Sequence, residues 1–85
     1  MNVRKAIDET MELARNGADH SDLYHVPDSS SFQHVCDMYN TINSDQTMSD
    51  TKLCRWLGWM QASVVSWGLW TLEDMKEINK RNADA

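Results

Sequence analysis

Three histidines and two cysteines, His20, His25, His34, Cys36 and Cys54, are the residues of this chain best suited to hold a metal ion. Zinc takes three or four nitrogen or sulfur ligands in tetrahedral reach, and chains that build such sites repeat short spacings. Neither CxxC, HxxxH nor HExxH occurs. His34 and Cys36 are two apart, which sends them to different sides of a helix. No metal site and no cofactor is expected. A nucleophilic mechanism would need a Ser or Cys beside a His and a carboxylate, but no nucleophile-elbow glycine pattern is present. Cys36 and Cys54 fall in apolar helical contexts, where thiols are usually inert core. The three glycines are isolated, so no phosphate-cradling loop is expected. Each reads as a helix end or a close-packing position. These absences make an enzyme the less expected class. The stretch HSDLYHVPDSSS gathers hydroxyls with His20, Tyr24 and His25. Such a loop could receive a small polar ligand such as a nucleotide, and it reads equally as a solvated connector.

The stretch RWLGWMQASVVSWGLW, Arg55 to Trp70, raises a different possibility, because it holds all four tryptophans of the chain. Trp and Arg dominate the energetics of protein interfaces. Arg55 and Trp59 are four apart, so the guanidinium could stack on the indole. Trp59 is expected either to be covered by the first helix or the 18–30 connector, or to belong to a self-association or partner surface with Arg55.

Positioning these residues is the task of an all-α fold. One proline and three glycines in 85 residues favour helices. Apolar residues spaced by three and four predict helices over about 3–16, 31–42, 50–67 and 72–82. The first carries the stripe Val3, Ala6, Ile7, Thr10, Leu13 and Ala14, with Asn2 as cap and Gly17 as stop. Ser29 or Ser30 is expected to cap the second, which buries Phe32, Val35, Cys36, Tyr39 and Ile42. Ser49 caps the third and Gly68 ends it. Leu53, Trp56, Leu57, Met60, Val64 and Trp67 share one arc of that helix. Another side, Cys54, Gly58, Gln61 and Val65, is small enough for a second helix to approach closely. Trp70 folds back under the helix end or seats the fourth helix before its Thr71 cap. That helix buries Leu72, Met75 and Ile78. The expectation is a small bundle of three to four helices around a central Trp-rich third helix, in a single domain.

Charge narrows the partners. The net charge is −5. Residues 1–50 hold three basic and nine acidic residues, a net of −6; residues 51–85 hold five and four, a net of +1. The acidic half cannot offer the basic stripe that phosphates require, so direct nucleic-acid binding is not expected. It would attract a basic protein surface instead, with Asp8, Glu9 and Glu12 on the polar side of the first helix. No apolar run resembles a signal peptide or a membrane span, so the expected place is the cytoplasm, with both thiols reduced.

The segment from Lys52 to Lys80 resembles the C-terminal part of small, mostly uncharacterised proteins of tailed bacteriophages. Those carry a helix with an RWLG-aromatic-x-Q pattern, then a glycine and a short T-x-(E/D)-(E/D) helix. Arg55, Trp56, Leu57, Gly58, Trp59 and Gln61 match the pattern, and Ala62 stands where a glycine often follows. The resemblance implies a small acidic protein, acting in the host bacterial cytoplasm by binding rather than catalysis. Its expected target is a host protein with a basic surface, such as a CRISPR or restriction effector. The alternatives are an oligomeric sponge for a nucleotide immune signal, held by the 18–34 loop with Arg55, Lys76 or Lys80, and a structural or assembly subunit.

Overall fold

The computed structural model describes residues 1–17 and 26–83. Four α-helices fill most of it: α1 (Val3–Gly17), α2 (Phe32–Ser44), α3 (Asp50–Ser66) and α4 (Leu72–Arg81), with a single 3-10 turn at Asp28–Ser30 before α2. No strand occurs among the described residues. The protein is a small all-α bundle.

Local chemistry sets the helix starts. The Asn2 side chain accepts from the Lys5 amide at 3.1 Å, and Ser49 accepts from the Lys52 amide at 3.1 Å. Each satisfies one of the amides that a first turn leaves free. Thr71 and Asp74 form a complete capping box: the Asp74 amide donates to Thr71 Oγ1, and the Thr71 amide donates to Asp74. α2 differs from expectation. Ser31 is its cap, accepting from the His34 amide. Ser29 and Ser30 belong to the 3-10 turn that Pro27 opens. Three consecutive serines each offer a cap, and the turn geometry selects the last.

The helix ends also separate the glycines. Gly68 has φ +80°, the left-handed region that glycine adopts most readily, and it ends α3 as expected. Gly17 is the last residue of α1, as expected of a stop, but has no positive φ. Its role is close packing: a Cβ there would lie 2.8 Å from Leu69 Cδ1. Gly58 is neither an end nor a tight contact, since a Cβ there would meet nothing within 4 Å.

The core runs through all four helices. Ile7, Met11, Ile42, Met60, Met75 and Ile78 are almost fully enclosed. α1 packs on each of the other helices, most extensively on α3, and α3 also packs on α2 and the 3-10 turn. The centre of the bundle is thus shared by α1 and α3. Met48, in the loop before α3, is buried too. It occupies the position before the cap from which a hydrophobic staple reaches the helix, with Leu53 at the matching position. Leu72, expected at the buried edge of α4, is 59% exposed instead.

Candidate interaction surfaces

The tryptophans divide by role. Trp67 is buried; its Nε1 donates to the Ser30 carbonyl at 2.7 Å, and its ring meets Phe32 edge-on at 6.0 Å. Trp70 donates to the Leu13 carbonyl of α1 at 3.1 Å. Trp59 donates to the Ser29 carbonyl at 2.9 Å and is 47% exposed. Three indoles therefore tie α3 and its exit to α1 and to the turn before α2. Trp56 lies at the rim of the core rather than inside it, with the Lys52 ammonium 5.3 Å from the ring centroid. Lys52 thus takes the cation role expected of Arg55. The cation–ring pairs among the described residues are Lys52 with Trp56 and Arg15 with Tyr39, and Arg55 is in neither.

Trp59 stands at one flank of an open helix face. Cys54, Arg55, Gly58, Ala62 and Ser66 are exposed along α3. The small side expected to receive a packed helix borders a groove instead, because α4 packs mainly on α1. The groove has a volume of about 450 Å³, and Gly58, Ala62, Val65, Leu72 and Met75 supply its apolar lining. Its floor is a closed amide pair. Gln61 Nε2 donates to Asn79 Oδ1 at 2.9 Å, and Asn79 Nδ2 donates back to Gln61 Oε1 at 3.1 Å. Gln61 also donates to Thr10 Oγ1, which donates to the Ala6 carbonyl. Those polar groups are satisfied within the protein, so the lining is mainly apolar, with Ser66 and Lys76 as its further polar members. The chain contains no carboxylate from Thr51 to Leu72, although it has 13 acidic residues.

The acidic residues expected to act together on α1 have separate duties. Asp8 is exposed and accepts from the Tyr39 hydroxyl at 2.7 Å. Glu12 is exposed. Glu9 is structural: it pairs with Arg81 at 3.1 Å and accepts from the buried Asn82 amide. The Asn82 hydrogen bond, followed by Arg81, holds its carboxyl below the ordinary value of 4.5 against the opposing effect of burial. Asp8 and Glu12 are exposed on α1, whose buried side is Val3, Ala6, Ile7, Thr10, Met11 and Ala14.

The remaining candidates separate as follows. His20, Tyr24 and His25, the expected ligand loop, lie outside the described residues. Among the described residues no three His, Cys, Asp or Glu side chains cluster as a metal site would require. Cys36 is partly buried, and burial pushes its thiol up. Cys54 is exposed rather than part of the apolar stripe. No helix among the described residues is long and apolar enough to cross a membrane. Periodicity alone missed the groove and exposed Leu72; the carboxylate-free run was the available sign.

Comparison of the chain with protein-family models, with curated proteins and with solved structures gives no match.

Proposed function

We propose that this chain is a small non-catalytic binding protein of phage type that docks on a basic surface of a host protein and blocks it. A defence effector of the CRISPR or restriction kind is the target class its charge fits. The observation that carries the proposal is the division of charge over the bundle. Asp8 and Glu12 on α1 and Asp37 on α2 are exposed, while α3 has no carboxylate after Asp50. An effector that runs nucleic acid through a basic channel presents the opposite potential, which favours encounter and register. The phage-type pattern of Lys52–Lys80 supports action by binding.

The test is retention of host protein on immobilised wild type and on the double variant Asp8→Lys/Glu12→Lys, at low and high salt. Glu9 is left in place because its carboxylate holds Arg81 and Asn82. An exposed ion pair contributes about 0.2–1 kcal/mol. Two reversals replace attraction by repulsion, for a loss of about 1–2 kcal/mol, or roughly 5–30-fold. The expected result is a partner held by wild type, released by salt and lost by the variant, with an unchanged circular dichroism spectrum. Retention indifferent to both salt and charge reversal would sink the proposal.

A further inference from the structure

We infer that the α3–α4 groove receives an amphipathic helix of a partner protein, one that presents an apolar stripe flanked by carboxylates. The site is built from α3 and α4 rather than from the acidic residues of α1 and α2, so it goes beyond docking on a basic surface.

The groove exists because α4 leans on α1 and leaves one side of α3 without a neighbour. The Gln61–Asn79 amide pair joins the two helices at its floor, tied to Thr10 of α1. Val65 and Met75 line it, and so does Leu72, although that side chain is 59% exposed. An α-helix turns about 100° per residue. Gly58 and Ala62 therefore form one strip of α3, with Gln61 roughly 80° round toward α4 and Trp59 roughly 80° round the other way, where its indole bonds to Ser29. Both strip residues are exposed, and a Cβ at Gly58 would meet nothing within 4 Å. A helix laid there can approach α3 to the usual 8–10 Å between axes while its apolar side chains reach Val65, Leu72 and Met75. From Arg55 to Ser66 the strip is about 16 Å long, three turns, which suits anchors at i, i+3 or i+4, and i+7. Gly58, Ala62, Ser66 and Leu72 leave the groove open along that length. Small-molecule sites enclose most of their ligand, so this shape favours a helix.

Charge selects the kind of helix. The chain carries −5, yet α3 has no carboxylate after Asp50. Arg55 is exposed roughly 40° from the strip, Lys76 lines the groove, and Lys80 follows it one turn later on α4, also exposed. Glu73 pairs with Lys76 at 3.3 Å, but the two side chains are 79% and 62% exposed. Such a pair is weak and yields to a carboxylate held against the groove. At physiological salt, exposed charges farther away than about 8 Å are largely screened. These three cations, rather than the net charge of the chain, therefore set the preference at this site. A basic helix would meet them as like charges, whereas one with Asp or Glu beside its apolar stripe is complemented on both flanks.

Selection of a display library of helical peptides, randomised over all surface positions, against the purified full chain tests this. The expected result is enrichment of peptides with an apolar stripe at i, i+3 or i+4, and i+7 and with Asp or Glu beside it. Calorimetry on the synthesised peptides is expected to give micromolar affinity, because the footprint is small. Ala62→Glu, which sets a carboxylate at the exposed strip, is expected to weaken binding at least tenfold while leaving the circular dichroism spectrum of the chain intact. Lys76→Glu is expected to weaken binding about threefold, the scale of an exposed ion pair, and to recover it when the carboxylates of the peptide are replaced by lysine. That recovery is a readout which loss of fold would not produce. No enrichment, enrichment of basic peptides, or binding indifferent to both variants overturns the inference. So does a concentration-dependent dimer in sedimentation equilibrium that Ala62→Glu dissolves, since it would give the groove to a second copy. Peptide affinity is read without any host protein, so this test and the charge-based docking test fail separately.

Discussion

Trp67→Ala is expected to lower the melting temperature by ~15–30 °C and to leave a large fraction of the chain unfolded at body temperature. Trp67 is 4% exposed, meets Phe32 and ties α3 to the Ser30 carbonyl. Truncating a buried Trp to Ala costs about 3–5 kcal/mol, because the transfer free energy is lost and a cavity remains. The total stability of a chain this size lies toward the low end of about 5–15 kcal/mol. Each kcal/mol shifts the transition by roughly 4–8 °C. Trp59→Ala supplies the contrast. Its ring is half-exposed, and the Ser29 carbonyl it releases stays accessible to water. The expected loss is about 1 kcal/mol, the net worth of one hydrogen bond with modest burial. Thermal melts of both variants check the pair. Equal losses would mean that the indoles are not divided between a core anchor and a surface ridge.

That division marks where sequence reasoning succeeded and where it stopped. Helix existence and most caps follow from neighbours in the chain, so Asn2, Ser49, Thr71 with Asp74, and Gly68 were legible. The core arc of α3 was legible for Leu53, Leu57, Met60, Val64 and Trp67, since periodicity reports which residues share a side. It did not report what lies opposite that side. Trp59, Trp67 and Trp70 find their acceptors 30, 37 and 57 residues away. No local pattern encodes such partners. Leu72 obeys the apolar spacing of α4 yet faces the groove, because α4 leans on α1 rather than on α3. Glu9 sits among acidic residues on the polar side of α1 and reads as solvated. It is the long-range contact with Asn82 that makes it structural. The exposed surface of α3 was foreshadowed by the clustering of all four tryptophans in Arg55–Trp70 and by the carboxylate-free run from Thr51 to Leu72.

Asn82→Asp, a nearly isosteric change, is expected to cost more than ~3 kcal/mol at pH 7 and to reverse the acid dependence of stability. Asn82 is fully buried at the end of α4. Its Nδ2 donates to Glu9 and to the Ile78 carbonyl, while its Oδ1 has no donor facing it among the described residues. In wild type the Glu9 carboxyl is held below its ordinary 4.5, mainly by that Asn82 donor. The unfolded chain then binds more protons than the folded one in this range. Glu9 therefore contributes stability that is complete above pH 4.5 and is lost as pH falls through its lowered folded value. Aspartate at 82 replaces the donor by an acceptor and sets a second carboxylate against Glu9 in a buried place. Leaving such a charge uncompensated costs about 3–5 kcal/mol, and the pair avoids this by retaining one proton between them. The shared proton raises the folded affinity above the unfolded one, so the variant is most stable below the ordinary carboxylate range and weakens as pH rises through the raised value. Urea denaturation of both proteins across acid to neutral pH measures the two slopes. The expected signs are opposite, positive for wild type and negative for Asn82→Asp. Parallel curves would show that Asn82 and Glu9 do not share a proton-sensitive contact, and would remove Glu9 from the forces that seat α4 on α1.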